Sequence, residues 1–282
     1  MKCGVMFPHV PLVDAAQTRD LAQTYDGAGF DYLTMGGHVL SARPGRYERP
    51  DFLYATPYHD SFTVLAYLAG LTRQIHLITS IAILPMLDTV LVAKQALDLA
   101  FLSNDRYELG VGLSWQEAEY RALGQDLHRR GARANEQIEI LKLLWSQNYV
   151  TYKGKFHDID DLGFDRLPNK PIPLWFGSQF SEPALRRIAS KGDGWMTLMD
   201  PTEAMPRFRE YLSDAGRDPG AFKIMASIVA GAGGADAWIA EAKRLQSIGV
   251  THLTINPDPA LTGDAGVQRV IEAREILSEG LR

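Results

Sequence analysis

The sequence predicts an α/β protein folded as an eight-stranded β/α barrel, a (β/α)8 TIM barrel. Three observations carry this. Eight β-rich runs alternate with eight helical patterns along the whole chain, the pattern of βαβ units around a parallel sheet. The 282 residues suit one barrel domain, residues 1–282. The first strand-to-helix turn, Phe7-Pro8-His9-Val10-Pro11, lacks the glycine-rich fingerprint of an open dinucleotide-binding sheet.

The predicted strands fall at residues 2–7, 30–35, 75–84, 107–112, 172–176, 194–198, 222–228 and 250–255. The helical patterns fall at residues 14–28, 61–71, 88–102, 135–145, 181–191, 201–215, 235–248 and 264–281. Pro8 follows the first apolar run, and the helix after it opens at Asp14 and stops at Gly29. Ser61 and Asp88 open the helices on either side of the third strand. Alternate glycines mark the fourth strand. Ser181-Glu182-Pro183 reads as a cap and first turn, and Gly192, Gly216 and Gly249 stand at or just past helix ends.

Two excursions break the repeat, and long loops inside a compact domain usually carry function. Residues 36–60 follow the second strand and hold Arg43, Arg46, Tyr47, Arg49, Tyr54 and Tyr58, which makes this inserted loop the candidate lid. Residues 149–171 precede the fifth strand, and the alternation around Lys153-Gly154 predicts a small hairpin. Following a helix, the hairpin is expected to project from the N-terminal end of the barrel, away from chemistry.

Composition removes several classes. Charged residues make up 22% with a net charge of −5 and no long run of one sign, so no nucleic-acid footprint is indicated and a small-molecule substrate is the expected partner. Cys3 is the only cysteine, which excludes an internal disulfide and a multi-cysteine metal site and suits a reducing compartment. No stretch approaches the roughly 20 apolar residues of a membrane span, so a cytoplasmic protein is expected.

In β/α barrels the reacting groups sit at the carboxyl ends of strands. The second strand ends at Gly36-Gly37-His38, where two glycines let the backbone come close to a ligand and present an imidazole able to donate a proton or hydrogen bond. His9 follows the first strand between prolines that fix a turn. His59, His76, His128, His157 and His252 show no partner pattern and read as structural. The third strand ends small then apolar, Thr79-Ser80-Ile81-Ala82, a surface on which a flat ring fits, though an ordinary buried strand reads the same way. In Leu109-Gly110-Val111-Gly112-Leu113-Ser114-Trp115 the glycines remove side chains where a bulky ligand would enter the mouth. Gly177-Ser178-Gln179 ahead of a capped helix offers backbone amides and a helix N-terminus to a phosphate. Neither a metal-ligand spacing nor a Gly-x-Ser-x-Gly nucleophile turn occurs. A phosphate-holding barrel with one imidazole at its mouth suits chemistry supplied by a cofactor.

Several segments in order resemble the luciferase-like family of flavin- and F420-dependent oxidoreductases, over most of the chain to about Leu198. They are Gly27-Ala28-Gly29-Phe30-Asp31 ahead of His38, Leu71-Thr72-Arg73 through Leu77, and Ala93-Lys94-Gln95 through Ser103. Arg106 with Leu109-Gly110-Val111-Gly112, then Trp115 and Glu119, follow. Arg133-Ala134-Asn135-Glu136 through Trp145, Tyr152-Lys153-Gly154-Lys155-Phe156, Pro173 through Ser178 and Gly192-Asp193-Gly194-Trp195 complete the set. The resemblance implies a mouth that binds reduced F420 or FMN, the ring lying against a bulge at the end of the third strand. It also implies a non-prolyl cis peptide at Ser80-Ile81. The implied cofactor residues are Gly37, His38, Thr79, Ser80, Ile81, Gly112, Leu113, Gly177, Ser178 and Gln179. His38 is the implied catalytic residue, with Phe7, His9 and Trp115 on the substrate side.

Three departures matter: Gly37 and Ser114 replace an acidic residue and a glycine of the family, and no glutamate follows the first strand, where His9 stands instead. The resulting expectation is F420-dependent hydride transfer to a small organic substrate. FMN-dependent monooxygenation, with a reductase supplying reduced cofactor, and a non-catalytic flavin-binding protein are the alternatives. A homodimer is expected, because helices of such barrels often supply a dimer surface.

Overall fold

The computed structural model describes residues 1–8, 14–46, 58–231, 233–261 and 263–281. His9, Tyr47, Arg49 and Tyr54 therefore lie outside the described residues. The first four strands are β1 (Lys2–Met6), β2 (Tyr32–Gly37), β3 (His76–Ile83) and β4 (Tyr107–Gly112). A hairpin of β5 (Val150–Lys153) and β6 (Asp158–Leu162) comes next, then β7 (Leu174–Ser178), β8 (Gly194–Thr197), β9 (Lys223–Ala230) and β10 (His252–Pro257). All but the hairpin strands close into a barrel in the order β1-β10-β9-β8-β7-β4-β3-β2, and every pairing around it is parallel.

The helices are α1 (Ala15–Gly27), α2 (Ser61–Ala69), α3 (Thr89–Leu102), α4 (Glu117–Ala122), α5 (Arg130–Leu144), α6 (Glu182–Lys191), α7 (Met205–Asp214), α8 (Gly234–Ser247) and α9 (Gly263–Gly280). Their starts are set by short acidic side chains. Asp14, Asp60 and Asp88 each accept the backbone N–H three residues on, at 2.8, 2.7 and 2.9 Å, and so satisfy an amide that has no partner inside the helix. Asp60 rather than Ser61 is thus the cap of α2.

Side chains divide into two layers. Between strands and helices lies the large apolar layer that includes Leu33, Leu77, Leu109, Leu141 and Leu253, while Tyr32, Ile78, Trp175, Met196 and Met225 fill the inside of the barrel. Filling the interior makes the barrel a core rather than a pore. No described helix is long and apolar enough to cross a membrane.

Three local features differ from expectation. The single helix expected at residues 135–145 is preceded by a separate short helix, α4, and α5 itself begins at Arg130; Gly124, at φ 68°, ends the first and turns the chain. β7 begins two residues later than expected, because Pro173 can offer only its carbonyl, to Leu109 N at 2.9 Å, and has no N–H for the ladder.

The hairpin is rooted between α5 and β7 as expected, but its tip does not project away from the body. Glu136 of α5 accepts the tip amides of Lys155 and Phe156 at 2.7 and 2.9 Å and lies 3.1 Å from His157 Nδ1. His157 Nε2 is in turn 2.6 Å from the hydroxyl of Thr89, the first residue of α3 and so close behind the carboxyl end of β3. The hairpin therefore climbs the flank of the barrel toward its mouth.

Candidate active site

The mouth is shaped by an irregularity in β3. Between Ile78 and Ala82 the strand carries one residue more than its neighbour β4, and between Thr79 and Ala82 one more than β2. The extra residue lies where the Ser80–Ile81 peptide is cis, as the family resemblance implies. A bulge re-aims side chains at a strand end, a common device beside active sites.

Thr79 holds this bulge in place. Its hydroxyl donates to Gly110 O at 2.9 Å and accepts Gly110 N at 2.8 Å, replacing the missing rungs of the ladder, and the residue is fully buried. Its side chain braces the bulge, and its one donor is spent on Gly110 O.

The glycines of β4 have a different use from the one expected of them. A Cβ at Gly110 would lie 1.9 Å from Thr79 O, and one at Gly112 would lie 2.4 Å from Ile81 Cδ1. At Gly177 of β7 a Cβ would meet Ile81 Cγ2 at 2.6 Å. The space these residues leave is taken by the bulged strand, so Gly112 and Gly177 admit Ile81 into the barrel rather than a ligand. Ser80, by contrast, lines the open cavity at the mouth.

At the end of β2, His38 is fixed by a buried carboxylate that its own neighbourhood in sequence does not announce. His38 Nδ1 lies 2.8 Å from Glu119 Oε2, and Glu119 Oε1 accepts the amides of Val39 at 2.5 Å and Leu40 at 3.1 Å. The Glu119 side chain is wholly buried on α4. Burial pushes its carboxyl up, but the hydrogen bond and charge of His38 and the amides of Leu40 and Val39 outweigh that and hold it below the usual value. An ionised carboxylate can only accept, so Nδ1 carries the hydrogen and Nε2 is left to exchange a proton. Among the described residues nothing bonds to Nε2. The rings of Tyr58 and Trp115 stand 5.1 and 6.4 Å from the imidazole.

Gly37 lets β2 approach the bulge, since a Cβ there would lie 3.0 Å from Ile81 O. Leu113 offers its carbonyl to the Tyr120 hydroxyl. Ser114, which follows, has φ 53° and a buried hydroxyl without a partner among the described residues. This is the position where the family keeps glycine, and the left-handed backbone explains that preference.

The β7–α6 turn has the elements of an anion site. The Ser178 hydroxyl donates to Gln179 O at 2.8 Å, and Ser181 stands at the helix cap without a side-chain cap bond. The Glu182 carboxylate, which would repel an anion here, is drawn to Arg186 at 2.8 Å. Phe7 does not join the site: it is completely buried in the outer apolar layer, and its neighbour Met6 faces the cavity instead.

Comparisons with known proteins come to rest on this framework. The sequence model of the luciferase-like monooxygenases matches residues 1–262. An uncharacterised protein of Mycobacterium tuberculosis is 32% identical over 183 residues, 62% of this chain and 63% of its own length. Pyrimidine monooxygenase RutA of Allorhizobium ampelinum is 31% identical over 179 residues, 59% of this chain and 48% of RutA. The match thus spans less than two thirds of either relative. Among solved structures, an F420-dependent secondary alcohol dehydrogenase with an F420–acetone adduct superposes with TM-score 0.80 at 16% identity, covering 98% of both chains. Monooxygenase RslO1 from Streptomyces bottropensis superposes with TM-score 0.82 at 18% identity, covering 99% of both. Such low identities speak to the shared barrel.

Proposed function

Because the chain belongs to the luciferase-like monooxygenase family, we propose that it is an oxidoreductase working with a flavin-type cofactor, F420 in the first place, on a small organic substrate. The observation that carries this is the His38–Glu119 pair, with Nδ1 bound and no bond to Nε2 among the described residues. Moving a hydride to or from a carbon–oxygen or carbon–nitrogen bond requires a proton to move with it, and this imidazole is poised to move it. When bound, F420 supplies the hydride from its C5, whereas FMN also reacts with oxygen.

The residues present fit such a group. Ser80 at the bulge and the close approach permitted by Gly37 offer a wall to a flat ring, and Ser178, Gln179 and the amide end of α6 offer a seat to its phosphate. Ile81, Gly112 and Gly177 shape that wall by packing on one another; Leu113 follows Gly112 directly, and Trp115 stands 6.4 Å from the His38 ring. His38 is the catalytic residue in this reading, and Glu119 positions it. The described part of the 36–60 loop, through Tyr58, closes over His38 and limits water.

FMN-dependent monooxygenation is the second reading, favoured by the 31% identity to a pyrimidine monooxygenase. It adds a reductase as partner. A homodimer belongs to both readings, with the exposed Val90, Leu91, Phe101 and Leu102 of α3 as apolar surface for it to cover. A parallel titration of the protein with F420 and FMN tests the proposal. F420 is expected to bind at micromolar concentration. Binding of FMN alone, with substrate-dependent oxygen uptake, would move the assignment to the second reading, and binding of neither would remove both.

A further inference from the structure

A cavity of about 430 Å3 opens on the β8–β9–β10–β1 side of the mouth, beside the β7–α6 turn, since β8 pairs with β7. Of the residues assigned to the cofactor only Ser80 touches it. A ring against the bulge and a phosphate at β7 therefore leave most of it free. β8 pairs with β9 only as far as Met196 and Met225, and past that point the cavity runs out between the two strands toward Arg244 of α8.

Two kinds of wall alternate. Met6, Met196, Met199 and Met225 give a soft apolar surface that adapts to shape. Between them stand Thr34, Ser80, Thr197 and Ser227, and among the described residues no hydrogen bond engages their hydroxyls. Asn256 is the most telling. It is on the same face of β10 as Thr254, two residues on, and its buried Oδ1 has no partner among the described residues. Buried polar atoms without partners are rare in folded proteins and mark a place where a ligand or water completes the bonding.

The charges decide the class of ligand. Arg244 is the only cation among the described lining residues, and it is bound to Asp200 at 2.7 Å and Glu241 at 2.6 Å. Among the described lining residues no positive charge remains to receive an anion, and an anion here would face two carboxylates.

Resting on the assignment of the mouth as an oxidoreductase site, we propose that this cavity is the substrate pocket, that it takes an uncharged molecule with an apolar body and an amide or hydroxyl head, and that Asn256 selects it. An amide side chain offers a donor and an acceptor side by side, the complement of such a head. Carboxylates and phosphates are rejected because no cation is free.

The test uses the full chain and three fluorinated probes of matched shape, 4-fluorobenzamide, 4-fluorobenzoate and fluorobenzene, with affinity read by 19F NMR. The benzamide is expected to bind at least about tenfold more tightly than the benzoate, and Asn256→Leu to weaken the benzamide about tenfold while leaving fluorobenzene unchanged. Asn256→Ala carries the same test if the leucine variant does not fold. Equal affinity for amide and carboxylate, an unchanged benzamide affinity in the variant, or no binding of any probe would overturn the proposal. Cofactor titration of the same samples separates it from the function above. If Asn256→Leu weakens cofactor binding and not probe binding, Asn256 belongs to the cofactor and the proposal falls. If the wild type binds neither F420 nor FMN while the probe pattern holds, the functional assignment fails and the pocket's selectivity stands.

Discussion

The two ends of this barrel are built from similar residues and finished in opposite ways. At the N-terminal end, Glu108 takes His76 Nδ1 at 3.0 Å and Trp175 Nε1 at 2.5 Å, and Tyr32 and Thr254 share a hydroxyl pair at 3.1 Å. The His252 ring packs between Trp175 and Tyr32, with centroids 5.0 and 5.6 Å away. Gly4 and Gly194 exist there to make room for aromatic rings, since a Cβ at either would lie 2.1 Å from Tyr32 or Trp175. At the C-terminal end, the hydroxyl of Ser114 and the amide oxygen of Asn256 are buried without partners among the described residues, and a cavity remains. One end closes its polar groups on each other, and the other holds them in reserve. The difference separates what stabilises the protein from what acts in it.

The sharpest way to break this comparison is His38→Ala. At the mouth it is expected to lower turnover about 100- to 10,000-fold, the usual share of a general acid or base, while the lost hydrogen bond to buried Glu119 costs only about 2 kcal/mol of stability. Steady-state rates with reduced cofactor, set beside a thermal melt, check both halves. A stability loss as large as the activity loss would make His38 structural.

At the closed end the corresponding prediction concerns acid. Burial first, and the nearby Lys2 and Lys223 after it, push the His252 imidazole down to about 4, only partly opposed by Glu108. The unfolded chain takes that proton near pH 6.5 and the folded one does not, so stability is complete above pH 6.5 and declines as pH falls toward 4. The loss amounts to about 3 kcal/mol at about 1.4 kcal/mol per unit. Glu108 is held low, so its contribution is lost in the same direction as pH falls further. Urea midpoints measured from pH 7 to 4 check the slope, and His252→Phe is expected to flatten it.

Gly194→Ala probes the packing of that end. With a buried indole 2.1 Å from the new methyl and no room to retreat, it is expected to cost about 2 to 3 kcal/mol in equilibrium unfolding. The smallest effect belongs to the mouth and has the opposite sign. Ser114→Gly relieves a left-handed serine and removes a buried hydroxyl without a partner, and is expected to raise stability by about 1 kcal/mol. A neutral or lower midpoint would show that the Ser114 hydroxyl is bonded after all.

The barrel was legible because its signals are local. Asp14 and Asp88 cap helices in their own first turn, and each strand is a run of neighbours. The placement of His38 at the mouth follows from the same rule. What sequence could not place depends on distant pairings. Glu119 is 81 residues from His38, on a helix of six residues too short to show a period, and with Glu117 and Arg121 on the same helix nothing local sets it apart. Phe7 and Met6 exchange roles because which of two adjacent residues faces the mouth is fixed by where β1 ends, and β1 ends at Met6. The role of Gly112 was hidden by the bulge, which shifts β3 by one residue and sends Ile81 into space that looked open from β4 alone.

That last arrangement has a consequence for how the chain can change. Ile81, Gly112 and Gly177 form a three-way lock in which one side chain occupies the room of two others. Enlarging either glycine alone collides with Ile81, and shrinking Ile81 alone leaves a hole, yet the changes made together cancel. Evolution, or a mutant library, can therefore redesign this wall only through combinations, and the effect of any one substitution reverses with the identity of the others.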